Sequence, residues 1–136
     1  MVDADPSLRS RAGGEQFSIF RFLPVSQVTH GAGCVRGLLG AVGRTGGARA
    51  LVVTGPTIAD RTNLLWYVEQ LLGPLHAASY TGVVRQVPEE TIAEAVDLAT
   101  MAAADVLVSL GGGSAIDTAK LVARELGRTR GAPPPQ

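Results

Sequence analysis

The chain has 136 residues, 46% of them hydrophobic and 18% charged, with a formal net charge of zero, the make-up of an ordinary globular domain with one core. It has no basic stripe, no run of like charge and no apolar stretch long enough to span a bilayer, so nucleic acid and membranes are excluded as expected partners. One cysteine, Cys34, cannot form an internal disulfide and fits a reducing, cytoplasmic setting.

Residues 1–16 are polar and aperiodic, and read as a disordered leader. They lack the apolar segment of a secretory signal, and Asp3, Asp5 and Glu15 beside the arginines argue against a transit peptide. Phe17–Leu23 alternates partly and stops at Pro24, which predicts an edge strand. Gln27–His30 is its expected hairpin partner, closed by the turn Gly31-Ala32-Gly33. Val35, Leu38, Leu39 and Val42 recur at helical spacing, and Gly46-Gly47 ends that helix.

The compact run Ala50-Leu51-Val52-Val53-Thr54 predicts a buried strand of a parallel sheet. Leu64, Leu65, Val68, Leu71 and Leu72 form one helix face, stopped by Gly73-Pro74. Ala77–Val84 is a weaker strand. Pro88 opens another helix, with Glu89 and Glu90 in the first turn complementing its dipole and Ile92, Ala95, Val96 and Ala99 on its buried face. Val106–Leu110 is a further short strand that runs into Gly111-Gly112-Gly113-Ser114 and a helix over about Ala115–Leu126. The remainder, residues 127–136, reads as an unstructured tail. Strand–helix alternation at this spacing predicts an α/β domain over residues 17–126, with a parallel sheet and helices on both faces.

The chemistry concentrates in SLGGGSAIDTAK, residues 109–120. Three consecutive glycines destabilise regular structure by roughly 0.5–1 kcal/mol each relative to Ala, which points to unusual dihedrals or close backbone approach. They lie between a buried strand and a helix N-terminus, where open α/β sheets bind ligands. The N–H groups of Gly112, Gly113 and Ser114 lack intrahelical partners there, and with the helix dipole they make a seat for a phosphate. Neither of two common phosphate motifs is present. The dinucleotide fingerprint needs glycine at Ile116, and the P-loop needs Gly-Lys-Ser/Thr at Thr118-Ala119-Lys120. A plain strand-to-helix turn is the competing reading, with Ser114 and Asp117 as a capping-box-like pair and Asp117–Lys120 as an i,i+3 surface pair. Lys120 is the one lysine of a chain with eleven arginines, which favours the anion site.

GGGSAIDTAK closely resembles the GGGSxxDxAK signature of the iron-containing alcohol dehydrogenases, a family that includes glycerol dehydrogenases and maleylacetate reductases. ADVLVSL resembles the strand before that signature, and the likeness extends over roughly residues 17–126. It implies a Rossmann-like domain, the N-terminal half of an iron-alcohol-dehydrogenase or dehydroquinate-synthase-like fold, that binds NAD or NADP. By resemblance Gly111, Gly112, Gly113 and Ser114 meet the pyrophosphate, Asp117 and Lys120 occupy motif positions, and Thr54 and Gly55 flank the cofactor at the end of the first buried strand. Where NAD-preferring members often carry Asp, this chain has Gly55, so the 2′-phosphate of NADP meets no like charge.

The family's Fe or Zn is held by an Asp and histidines of a C-terminal helical half, which the resemblance places beyond this chain. A small alcohol or aldehyde substrate is therefore expected only where that half is supplied. No metal site is expected here, because His30 and His76 have no clustered partners, Cys34 has no recognisable base, and Trp66 and Tyr67 read as packing residues. Without its partner half the domain exposes an apolar face, which favours a homo-oligomer. The alternatives are a non-catalytic or vestigial nucleotide-binding module, and a phosphosugar enzyme related to dehydroquinate synthase or glycerol-phosphate dehydrogenase.

Overall fold

The structure, a computed structural model, describes residues 25–130 throughout. Ahead of them it describes only the backbone of four three-residue strands: Val2–Ala4 (β1), Ser10–Ala12 (β2), Glu15–Phe17 (β3) and Phe20–Phe22 (β4). β1 pairs antiparallel with β4, and β2 with β3. The described part of the expected leader therefore carries paired strands, too short to show alternation in sequence. The partner of Phe20–Phe22 is β1 rather than Gln27–His30, which forms no strand. The rest of the leader lies outside the described residues.

From Ala32 onward the chain forms a second unit. Cys34–Gly37 is a single 3-10 turn that runs into α1 (Leu38–Arg44). Gly46, at φ 80, reverses the chain in a conformation open to glycine at little cost. Gly47 is required for a different reason: a Cβ there would lie 2.9 Å from Cβ of Val106.

Three parallel strands follow: β5 (Ala50–Val53), β6 (His76–Tyr80) and β7 (Val106–Ser109). β5 is central, with β6 on one side and β7 on the other, and Val53 is in register with both Tyr80 and Ser109. The unbroken apolar run of β5 has a simple cause, since successive side chains point to opposite faces and both faces are covered. Leu51 and Val53 face Ala95, Ala99 and Val122 of α4 (Glu89–Met101) and α5 (Gly113–Thr129). Ala50 and Val52 face Val42 of α1 and Leu65, Val68 and Leu72 of α3 (Leu64–Leu72). All four β5 residues are fully buried.

A helix that the sequence pattern did not reveal, α2 (Pro56–Arg61), separates β5 from α3. Proline is pre-set for its first position. The Thr62 hydroxyl donates to Ile58 O (2.6 Å) and accepts from Leu64 N–H (3.1 Å), closing α2 and opening α3. At the other end of the unit, α5 runs to Thr129, so residues 127–129 are helical rather than tail. Arg130 donates to Ala104 O at 3.1 Å and ties that end down. Residues 131–136 lie outside the described residues.

The entry to the sheet is held by Asp105. Its carboxylate accepts N–H bonds from Arg49 (2.9 Å) and Ala48 (3.0 Å), while Arg49 Nε donates to Ala102 O (2.7 Å). The Arg49 and then the Ala48 backbone bonds hold the Asp105 carboxyl below its ordinary value of 3.8. A depressed folded pKa contributes stability that is full above the unfolded value and is lost as pH falls through the folded one. Asp105→Asn is therefore expected to be less stable than the parent at pH 7, with the gap narrowing below about pH 4. Urea midpoints at pH 7 and pH 3 measure this, and an equal gap at both would show that the charge contributes nothing.

Candidate functional site

β5 leads by way of α2 and α3 to β6 on one side, and the chain then crosses through α4 to β7 on the other. The segments leaving β5 and β7 pack on opposite faces of the sheet, so the chain switches face between the two exits. In open α/β sheets that switch point is where ligands bind. Both exits are marked by glycine: Gly55 after β5, and Gly111, Gly112 and Gly113 after β7.

Gly111 sits at φ 142, a conformation confined to glycine, and a Cβ there would lie 3.3 Å from Cβ of Ala115 and 3.4 Å from Cδ1 of Ile58. Gly112 caps α5 at φ −93, ψ −155, and Gly113 is its first residue. Neither conformation demands glycine, and a Cβ at either would meet nothing within 4 Å. Internal packing explains Gly111 and leaves Gly112 and Gly113 beside open space.

Because the helix starts at Gly113, Ser114 lies inside it and no side chain caps it. The expected Ser114–Asp117 capping box is therefore not formed. Among the described residues the N–H groups of Gly111 through Ala115 meet no acceptor, while Ile116 N–H reaches Gly112 O at 3.2 Å. Five amides thus stand unpaired at the positive end of a 17-residue helix.

The remaining expected residues divide. Thr54 is completely buried. Its N–H donates to Tyr80 O (2.9 Å), its carbonyl accepts from Val83 N–H (3.2 Å), and its hydroxyl donates to Leu110 O (2.7 Å). Its side chain therefore offers no ligand surface. Gly55 is half-buried, and a Cβ there would lie 3.1 Å from the Val83 carbonyl oxygen. Asp117 is exposed one turn into α5. Lys120 lies away from the turn, in a cleft with Ala104, Leu107, Ala123 and Leu126 beside the start of β7. Its Nζ is buried without a hydrogen-bond partner, so the Asp117–Lys120 pair is not formed. The sequence reading missed Leu110, Ile58 and Val83, whose roles depend on contacts between strand exits.

Tyr80, at the end of β6, donates to Glu94 at 2.9 Å, and burial first and Glu94 second raise its pKa above 10.0. His76 Nε2 is 2.9 Å from the Ser79 hydroxyl, which donates to Glu69 (2.7 Å). His30 and Cys34 are exposed, and so is Trp66, at 60%, against the expectation that it packs. Among the described residues no three His, Cys, Asp or Glu side chains come together as a metal cluster. No described helix is long and apolar enough to cross a membrane.

The pattern of the family described as iron-containing alcohol dehydrogenase matches residues 25–134. The chain is 40% identical over 105 residues to maleylacetate reductase 2 of Cupriavidus pinatubonensis, covering 77% of this chain and 28% of that protein. A solved Ralstonia eutropha protein, described as an alcohol dehydrogenase, superposes with a TM-score of 0.71 at 36% identity, over 78% of this chain and 29% of that one. Sulfoacetaldehyde reductase from Bifidobacterium kashiwanohense, solved in complex with NAD+, shares the fold at 17% identity, with a TM-score of 0.64 over 69% of this chain and 25% of that one. The chain thus spans well under a third of the length of these relatives, and it belongs to the iron-containing alcohol dehydrogenase family.

Proposed function

We propose that this chain is the dinucleotide-binding portion of an alcohol-dehydrogenase-type oxidoreductase and holds NAD or NADP by its pyrophosphate at Gly111–Ser114. The observation that carries this reading is the row of unpaired amides from Gly111 to Ala115, set at the switch point with open space beside Gly112 and Gly113. Backbone amides at a helix N-terminus suit a diphosphate, and the absence of side chains lets it approach closely. When bound, the nicotinamide supplies hydride transfer between an alcohol and its aldehyde. The chain's own part is to bind and orient. Gly55 places no carboxylate at the exit of β5, so NADP is tolerated there beside NAD.

The described residues do not fit the family metal, and no metal step is assigned to them. Turnover of a small alcohol or aldehyde accordingly needs ligands from beyond these residues. A reducing, cytoplasmic setting is part of the same reading, resting on the single Cys34.

Titration of the folded chain with NADPH and NADH, followed by nicotinamide fluorescence, is expected to saturate with both. A sample that is folded by circular dichroism yet shows no saturation would overturn the dinucleotide reading. The glycine turn would then survive as architecture alone, as in a vestigial module.

A further inference from the structure

We infer that Thr54 is a positioning residue, which fixes the Leu110–Gly111 peptide plane so that the Gly111 amide faces the anion. The inference rests on the dinucleotide reading above. A trans peptide is planar, so its N–H points opposite to its C=O. The Leu110 carbonyl is turned inward onto the buried Thr54 hydroxyl at 2.7 Å, and the Gly111 N–H of the same plane is thereby turned away from Thr54. The Leu110 N–H is held in turn by Val53 O at 2.9 Å.

This plane needs such a hold. It precedes a glycine at φ 142, and glycine presents little steric barrier to a peptide flip. A flip would aim a carbonyl oxygen where an amide is needed, replacing attraction for a phosphate with repulsion. Shape alone does not call for threonine at the end of β5, because valine has the same outline and would pack as well. The hydroxyl in a fully buried place matters through its one acceptor. The same residue also ties the other exits, through Tyr80 O and Val83 N–H. One side chain and its backbone thus set the relative positions of all three strand ends.

Three variants of the whole chain test this: Thr54→Val, Thr54→Ser and Leu72→Ala. Leu72 is fully buried at the end of α3, next to the start of β6 and so at the opposite end of the sheet; it serves as a control for stability loss alone. NADPH affinity is measured well below every melting midpoint, and nitrogen-15 relaxation dispersion is recorded at Gly111, Gly112 and Gly113. Thr54→Val is expected to bind NADPH about five- to tenfold more weakly and to show microsecond–millisecond exchange at these glycines. Thr54→Ser and Leu72→Ala should stay within about twofold of the parent with quiet glycine amides. Quiet glycines in Thr54→Val, or exchange with parent-like affinity, would overturn the inference. Failure of the parent to bind NADPH overturns the dinucleotide reading alone, and the relaxation profiles still decide whether Thr54 holds the turn.

Discussion

Gly112→Asp is expected to weaken dinucleotide binding by up to several-hundredfold while leaving the fold at least as stable as the parent. Gly112 occupies the N-cap of α5 in an extended conformation that any residue can adopt, and a Cβ there meets nothing within 4 Å. Asp is among the best N-cap residues and exceeds Gly by a few tenths of a kcal/mol. Its charge also suits the positive end of the helix. The same carboxylate would satisfy the amides proposed to receive the pyrophosphate and would set a negative charge against it. Two unit charges about 4 Å apart repel by roughly 1–4 kcal/mol between bulk water and a protein surface, which is about fivefold to several-hundredfold in affinity. Thermal melting and NADPH titration of the same sample separate the effects. A drop in both would mean that Gly112 serves the fold, and the site assignment would lose its main support.

Leu51→Ala is expected to destabilise the unit by about 3–5 kcal/mol, at the upper end for a buried leucine. Leu51 is fully buried in the central strand, in a layer where the helices and the turns beside them set Ala95, Ala99, Ala104 and Ala115 among the larger Val53, Tyr80, Val83, Val122 and Leu126. Alanines bring helices close to the sheet and have no length with which to fill a void. The cavity would therefore persist rather than collapse. Against a typical domain stability of roughly 5–15 kcal/mol, such a loss brings the variant close to unfolding at ambient temperature. Urea denaturation at constant slope measures it, and a cost below about 1.5 kcal/mol would show that α4 and α5 close over the gap.

Much of this architecture was legible because its signals are local. β5 announced itself as a short apolar run, α4 by Pro88 and two glutamates, and β7 by the apolar run before the glycines. The α5 start was misplaced because Gly113 was read as loop, although a glycine can begin a helix when its neighbours propagate it. α2 was hidden because six residues behind Gly55-Pro56 are too few to show a period. Lys120 carries a simpler lesson. Seven residues past Gly113, it lies about 10 Å along the helix axis, so membership of the GGGSAIDTAK motif never placed it at the turn. The hydroxyl of Thr54 was unreadable for the opposite reason, since its acceptor lies 56 residues away and becomes a neighbour only when β7 pairs with β5.

The close approach of Gly55 to Val83 limits how coenzyme preference can be redesigned. The obvious route toward NAD is an acidic side chain after β5, yet its first carbon would press on a main-chain oxygen at 3.1 Å, which cannot swing aside as a side chain can. A Gly55→Asp design must therefore begin by reshaping the segment at Val83. Because Val83 N–H is bonded to Thr54, that reshaping would reach the phosphate turn as well. Under the dinucleotide reading, selectivity for the ribose and grip on the diphosphate are thus mechanically linked, and laboratory evolution toward one is expected to recruit compensating changes in the other.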